Sequence, residues 1–124
     1  MAKKRILIVE DDYIDRAVLT KILSDTYDVV EAYNGLEALQ ILEKEHDSIS
    51  LILLDVMMPV MDGFEFLRQM HATKEYSIIP VIVTTLGDSR SDELKALSNG
   101  ATDFVMKPYI PQVLLQRIDN LIQL

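Results

Sequence analysis

The segment LILLDVMMPVMDGFEFL, residues 51–67, runs four apolar residues straight into Asp55 and then breaks at a turn marked by Pro59 and Asp62-Gly63. A run that is apolar throughout, with no alternation, reads as a strand covered on both faces. An ionised carboxylate at the end of such a strand is costly to bury unless it is paired, neutralised or bound to a metal. Asp55 is therefore the residue to explain, and the other apolar runs supply the explanation.

Comparable runs occupy residues 6–9, 29–30, 81–83 and 104–106. Helical spacing fills the gaps between them. Ile14, Val18 and Ile22 recur every four residues, and Leu36, Leu39 and Leu42 every three. Phe64, Leu67 and Met70 mark a shorter helix, and Leu94 with Leu97 the weakest. Ile110, Val113, Leu114, Ile118, Leu121 and Ile122 form the cleanest face. Asn34-Gly35, Gly87 and Asn99-Gly100 are turn or stop signals. Five strands alternating with five helices predict parallel pairing through right-handed crossovers. The expected fold is α/β, a doubly wound five-stranded parallel sheet with five helices. In such sheets ligands bind outside the carboxyl ends of the strands.

At 124 residues, 49% apolar and 26% charged, the chain reads as one domain spanning 1–124. It has no cysteine, which excludes disulfides, thiolate metal sites and thiol catalysis and fits a cytoplasmic setting. No run is long enough for a membrane span, and the one after MAKKR is too short for a secretory signal. A net charge of −8 repels phosphate backbones and suits a divalent cation or a basic partner. Direct nucleic-acid binding is not expected.

The residues that follow each run are the informative ones. Glu10, Asp11 and Asp12 follow the first, Asp55 the third, Thr84 and Thr85 the fourth, and Lys107-Pro108 the last. The 29–30 run lacks a comparable residue, which suits a sheet edge. Carboxylates held together must share a proton or a cation. An oxygen-only ligand set favours Mg²⁺, with Mn²⁺ as a substitute. A carboxylate can also attack phosphorus to give an aspartyl phosphate. A metal, the Lys107 ammonium and the Thr85 hydroxyl would then offset charge on the transferring group.

With ILIVEDD at 6–12, LLDVMMPVMDG at 53–63, PVIVTT at 80–85 and GATDFVMKPY at 100–109, the chain resembles the response-regulator receiver domains of two-component signalling over essentially its whole length. The resemblance implies a flavodoxin-like sheet of order 2-1-3-4-5, in which Asp55 accepts the phosphoryl group and Asp11 ligates Mg²⁺ directly. It makes Glu10 the second acidic-pocket residue and the Met57 carbonyl a further ligand. Thr85 becomes the switch hydroxyl, Phe104 the switch aromatic and Lys107 the phosphate contact, with Lys107–Pro108 cis. It implies transfer from a histidine kinase or phosphotransfer protein. Thr85 would then be drawn inward and Phe104 rotate, changing the face of the fourth helix, fifth strand and fifth helix that an output domain or effector reads. No catalysis is expected beyond the chain's own phosphorylation and slow dephosphorylation.

Two residues depart from the family pattern. Leu86 stands where the family carries a small residue, which would affect phosphate access and the Thr85 swing. The apolar Met57 side chain cannot orient an attacking water, so a fairly long-lived phosphoryl state is expected. Asp103 and Arg117 match a pair that some receivers use to dimerise, although Val113 stands where those receivers often carry an acid. Asp12 reads as a solvated loop residue, Asp62 as a helix cap, Thr84 as a packed strand residue, and His46 and His71 as surface residues. The methionines at 57, 58, 61, 70 and 106 read as core and turn filler. The apolar period still running at Leu121 hints at a receiver excised from a longer protein, although a stand-alone receiver also fits.

Other functions fit less well. A dehalogenase-type phosphatase needs an acid two residues after its nucleophile, where Met57 stands. A flavodoxin-like cofactor binder needs a hydroxyl- and glycine-rich loop where this chain has EDDYID. A degenerate receiver would lack Asp55, Asp11, Thr85 or Lys107.

Overall fold

The computed structural model describes residues 3–56, 61–85 and 90–122, with only the backbone of 90–92. The strands are β1 (Arg5–Val9), β2 (Asp28–Ala32), β3 (Ile49–Asp55), β4 (Val81–Thr85) and β5 (Asp103–Met106). The helices are α1 (Tyr13–Leu23), α2 (Gly35–Glu45), α3 (Gly63–His71), α4 (Lys74–Ser77), α5 (Arg90–Ser98) and α6 (Pro111–Ile122). All strand pairs are parallel, and the order is β2-β1-β3-β4-β5, with the short 29–30 segment at an edge. The doubly wound sheet is as expected.

The helix count is not. Six α-helices stand among the described residues rather than five, because the β3–β4 crossover adds α4. At four residues α4 has no side-chain cap and is too short to show a period in the sequence.

Strand alternation splits the core between two layers. Leu7, Val9, Ile52, Leu54, Val81 and Val83 face α2, α3 and α5 through Leu42, Leu67, Met70 and Ala96. Ile6, Ile8, Leu51, Leu53, Ile82 and Val105 face α1 and α6 through Leu19, Leu23, Leu114 and Ile118. Each fully buried aliphatic side chain contributes about 1.5–3 kcal/mol, which fixes the register on both faces.

The starts of α1, α2 and α3 are set by short polar side chains. Asp12 Oδ2 accepts from Asp15 N at 2.8 Å, Asn34 Oδ1 from Glu37 N at 2.8 Å, and Asp62 Oδ1 from Glu65 N at 2.9 Å. Asp12 is thus the cap of α1 and not simply a solvated acid.

Several helix faces also differ from the sequence reading. In α1 the residues turned inward are Arg16, Leu19 and Leu23, whereas Ile14 and Val18 are exposed and Ile22 half-buried. The helix carries two apolar stripes, and an arginine sits on the buried one. Leu36, Leu94, Leu97, Ile110 and Val113 are exposed as well, while Ala38 and Ala96 are buried. His46 and His71 are half-buried. The His46 ring nitrogen Nδ1 lies 3.1 Å from Leu42 O, and its ring packs against Tyr76. His71 Nε2 lies 3.1 Å from Gly100 O, where a left-handed backbone (φ 103°) closes α5.

Candidate functional site

The carboxyl ends of β1, β3, β4 and β5 share one rim, and alternation decides which side chains meet there. Glu10, Asp55 and Lys107 continue the face of Ile8, Leu53 and Val105. Thr85 continues the face of Val83, and Phe104 packs into that same layer. The acids and the ammonium thus lie on the α1–α6 side of the sheet, with the hydroxyl and the aromatic on the other.

Glu10, Asp11 and Asp55 each offer a carboxylate oxygen within 4.8 Å of the others. Glu10 and Asp55 are buried and Asp11 is exposed, so the group opens to solvent on one side. Glu10 N donates to Ala32 O at 3.1 Å, and Asp12 N lies 3.3 Å from Glu10 Oε2. Three clustered carboxylates without nitrogen or sulfur donors suit a hard divalent cation. The Met57 carbonyl and Leu86 lie outside the described residues.

Lys107 reaches into this group. Its Nζ is 3.2 Å from Glu10 Oε1, 3.2 Å from Asp15 Oδ2 and 3.6 Å from Asp55 Oδ2. Its backbone N donates to Thr85 O at 2.7 Å, and the Lys107–Pro108 peptide is cis. Burial by itself lowers the ammonium's pKa, but the neighbouring oxygens of Tyr109, Asp55 and Glu10 outweigh it and raise it above the lysine range. Burial likewise pushes Glu10 up to about 8, helped by its hydrogen bond to Asp55 and that residue's charge. Near neutral pH the group without metal keeps a proton on Glu10. A cation would displace it.

Thr85 is 3% exposed, and its Oγ1 has no hydrogen-bond partner among the described residues. A buried hydroxyl in that state costs about 1–3 kcal/mol, so an oxygen acceptor brought to the rim would be bound favourably. Phe104 is half-buried and lines a cavity of about 310 Å³ with Met106, Pro108, Ile110, Val113 and Arg117. Arg117 Nη1 donates to Asp103 Oδ2 at 2.9 Å within the same chain. Thr84 is buried in β4, and His46 and His71 are placed by contacts away from the rim.

The sequence reading missed Asp15 and Arg16. Arg16 is buried, and its Nη1 donates to Glu10 O at 2.9 Å and to Asp11 O at 3.2 Å. Its guanidinium sits 4.9 Å from the Tyr33 ring and 5.8 Å from the Tyr13 ring. It thereby ties the turn that presents both acids. An arginine within a helix gives no local sign of this. Asp15 meets Lys107 across 92 positions of sequence, so nothing local reports it either.

Comparison with known proteins gives a consistent picture. The model of the response regulator receiver domain family matches residues 6–119. A probable transcriptional regulator, ycf27, of Cyanophora paradoxa is 40% identical over 98% of this chain and 49% of its own length. The chain thus spans about half the length of that relative. A chemotaxis protein CheY homolog of Campylobacter jejuni is 31% identical over 95% of this chain and 92% of its own. Among solved structures, the receiver domain of a Syntrophus aciditrophicus signal transduction histidine kinase has a TM-score of 0.88 at 35% identity, covering 97% of this chain and 90% of that one. The receiver domain of the Pseudomonas aeruginosa sensor kinase PA1611, with magnesium coordinated in its active-site cleft, has a TM-score of 0.91 at 27% identity, covering 99% and 100%.

Proposed function

The chain belongs to the response-regulator receiver family of two-component signalling, and from that membership we propose that Asp55 takes a phosphoryl group from the phosphohistidine of a histidine kinase or phosphotransfer protein. The observation that carries this reading is the meeting of Asp55 with Glu10, Asp11 and Lys107 at one strand-end rim. In the transfer an Asp55 carboxylate oxygen forms the new O–P bond as the donor's N–P bond breaks. The electron pair leaves on the imidazole nitrogen, which takes a proton.

Glu10, Asp11 and Asp55 would hold Mg²⁺, or Mn²⁺ in its place, with the Met57 carbonyl as a further ligand. Bound there, the ion offsets charge on the transferring group. Lys107 would neutralise one equatorial oxygen, and Thr85 would donate its unsatisfied hydroxyl to another.

Phosphorylation favours the state in which Thr85 is satisfied, and Phe104 moves with it. The α5–β5–α6 face, with its apolar cavity beside Phe104, would then present a changed surface to an output domain or effector. We place the reaction in the cytoplasm, with no turnover beyond the chain's own phosphorylation and slow hydrolysis. The Asp103–Arg117 pair closes within one chain here, and a dimer through that face would exchange it between copies.

The test is incubation with acetyl phosphate and Mg²⁺, followed by peptide mapping of the acid-stable, base-labile adduct. One phosphoryl group on Asp55, absent in Asp55→Asn and without divalent metal, supports the reading. Modification elsewhere, or none, overturns it.

A further inference from the structure

We propose that Asp15 restrains Lys107, holding its ammonium off the acceptor and slowing phosphoryl capture by Asp55. The inference rests on the phospho-acceptor reading above and adds a regulatory residue to that site.

The distances carry it. Lys107 Nζ lies 3.2 Å from both Asp15 Oδ2 and Glu10 Oε1 but 3.6 Å from Asp55 Oδ2. The ammonium is thus held more closely by two neighbours than by the residue it is to assist. Asp15 is firmly placed, because its N–H donates to Asp12 Oδ2 at 2.8 Å in the first turn of α1. Its side chain is 36% exposed, which leaves it facing the solvent from which a phosphoryl donor arrives.

Two consequences follow from charge alone. To meet a phosphoryl oxygen on Asp55, Lys107 must give up Asp15 or stretch away from it. A carboxylate at the mouth of the group also repels an incoming phosphate. A cation held by Glu10, Asp11 and Asp55 would compete with the ammonium for the carboxylates of Glu10 and Asp55. Asp15 is not among those three acids, so it would remain as Lys107's competing partner.

The alternative is a purely structural Asp15, stabilising the start of α1 through the helix dipole. That role explains an acid in the first turn but not the reach to Lys107. The two roles give opposite results on substitution. A structural residue lost lowers stability and leaves the rate equal or lower, whereas a restraint lost raises the rate.

The experiment compares the full chain with Asp15→Asn, and with Asp12→Asn as a control that removes the same charge while keeping a capping side chain. Phosphorylation by acetyl phosphate with Mg²⁺ is timed by intact mass at low and high salt. Hydrogen exchange of the Lys107 ammonium is followed by NMR in metal-free protein. The expected results are a rate for Asp15→Asn about three- to tenfold above wild type at low salt, shrinking at high salt, and faster Lys107 exchange. Asp12→Asn is expected to change neither by as much. An Asp15→Asn rate no higher than that of a labelled wild type overturns the restraint alone, as does unchanged Lys107 exchange or equal acceleration by Asp12→Asn. A wild type that takes no phosphoryl group overturns the acceptor reading and the restraint with it.

Discussion

Replacing Glu10 by glutamine should stabilise the metal-free protein while weakening its hold on a cation. Glu10 is 1% exposed, and its carboxyl is pushed up to about 8 from an ordinary 4.5, by burial first and then by Asp55. As pH rises past 4.5 the unfolded chain loses this proton while the folded chain keeps it. Stability therefore falls with rising pH between about 4.5 and 8 and levels off above. The gap between those two values sets a ceiling of about 5 kcal/mol. Solvent reaching the cluster on its open Asp11 side screens this to on the order of 2 kcal/mol. Glutamine mimics the protonated acid, so its oxygen still accepts from Lys107 Nζ and the unfolded chain gains nothing from ionisation. In EDTA, Glu10→Gln should melt about 8 °C above wild type at pH 8, with the gap closing toward pH 4.5. Thermal circular dichroism across that range is the assay. With saturating Mg²⁺ the order should narrow or reverse, because ion binding stabilises the wild type more. A glutamine variant that melts lower than wild type at pH 8 in EDTA would refute the reasoning.

Three further outcomes can be checked with equally simple measurements. A Cβ on Gly63 would sit 2.6 Å from Val56 Cα and 2.8 Å from Asp55 O, so Gly63→Ala should cost about 1–3 kcal/mol in urea unfolding and slow phosphorylation by displacing Asp55. Arg16→Met leaves the carbonyls of Glu10 and Asp11 without the guanidinium; about 1–3 kcal/mol of stability should go, and calorimetric Mg²⁺ affinity should drop with it. Asp62→Ala removes the acceptor for Glu65 N and should cost about 1 kcal/mol, largely restored by Asn.

The parallel sheet and the rim were legible because both depend on local pattern. Apolar runs without alternation announced parallel strands, and four of the five runs were followed by the polar residues that meet at the rim. Asp62 was readable as a cap for the same reason, since capping needs only a neighbouring turn. What could not be read involves a choice between equivalent patterns or a contact across the chain. Helix α1 offers Ile14 and Val18 on one stripe and Leu19 and Leu23 on another, and Arg16 disguises the one that packs. The single turn of α4 leaves no period. The grip of Asp15 on Lys107 joins the first helix to the last strand end, and the hold of Arg16 on the acidic turn is set by packing against Tyr13 and Tyr33.

The most direct measurement is a crystal structure of the protein with Mg²⁺ and beryllofluoride, an aspartyl-phosphate mimic. The expected result is the mimic on the Asp55 carboxylate, contacted by Lys107 and Thr85, with one ion shared by Glu10, Asp11 and Asp55. A mimic on another carboxylate, or an ion held without Asp11 and Asp55, would contradict the account.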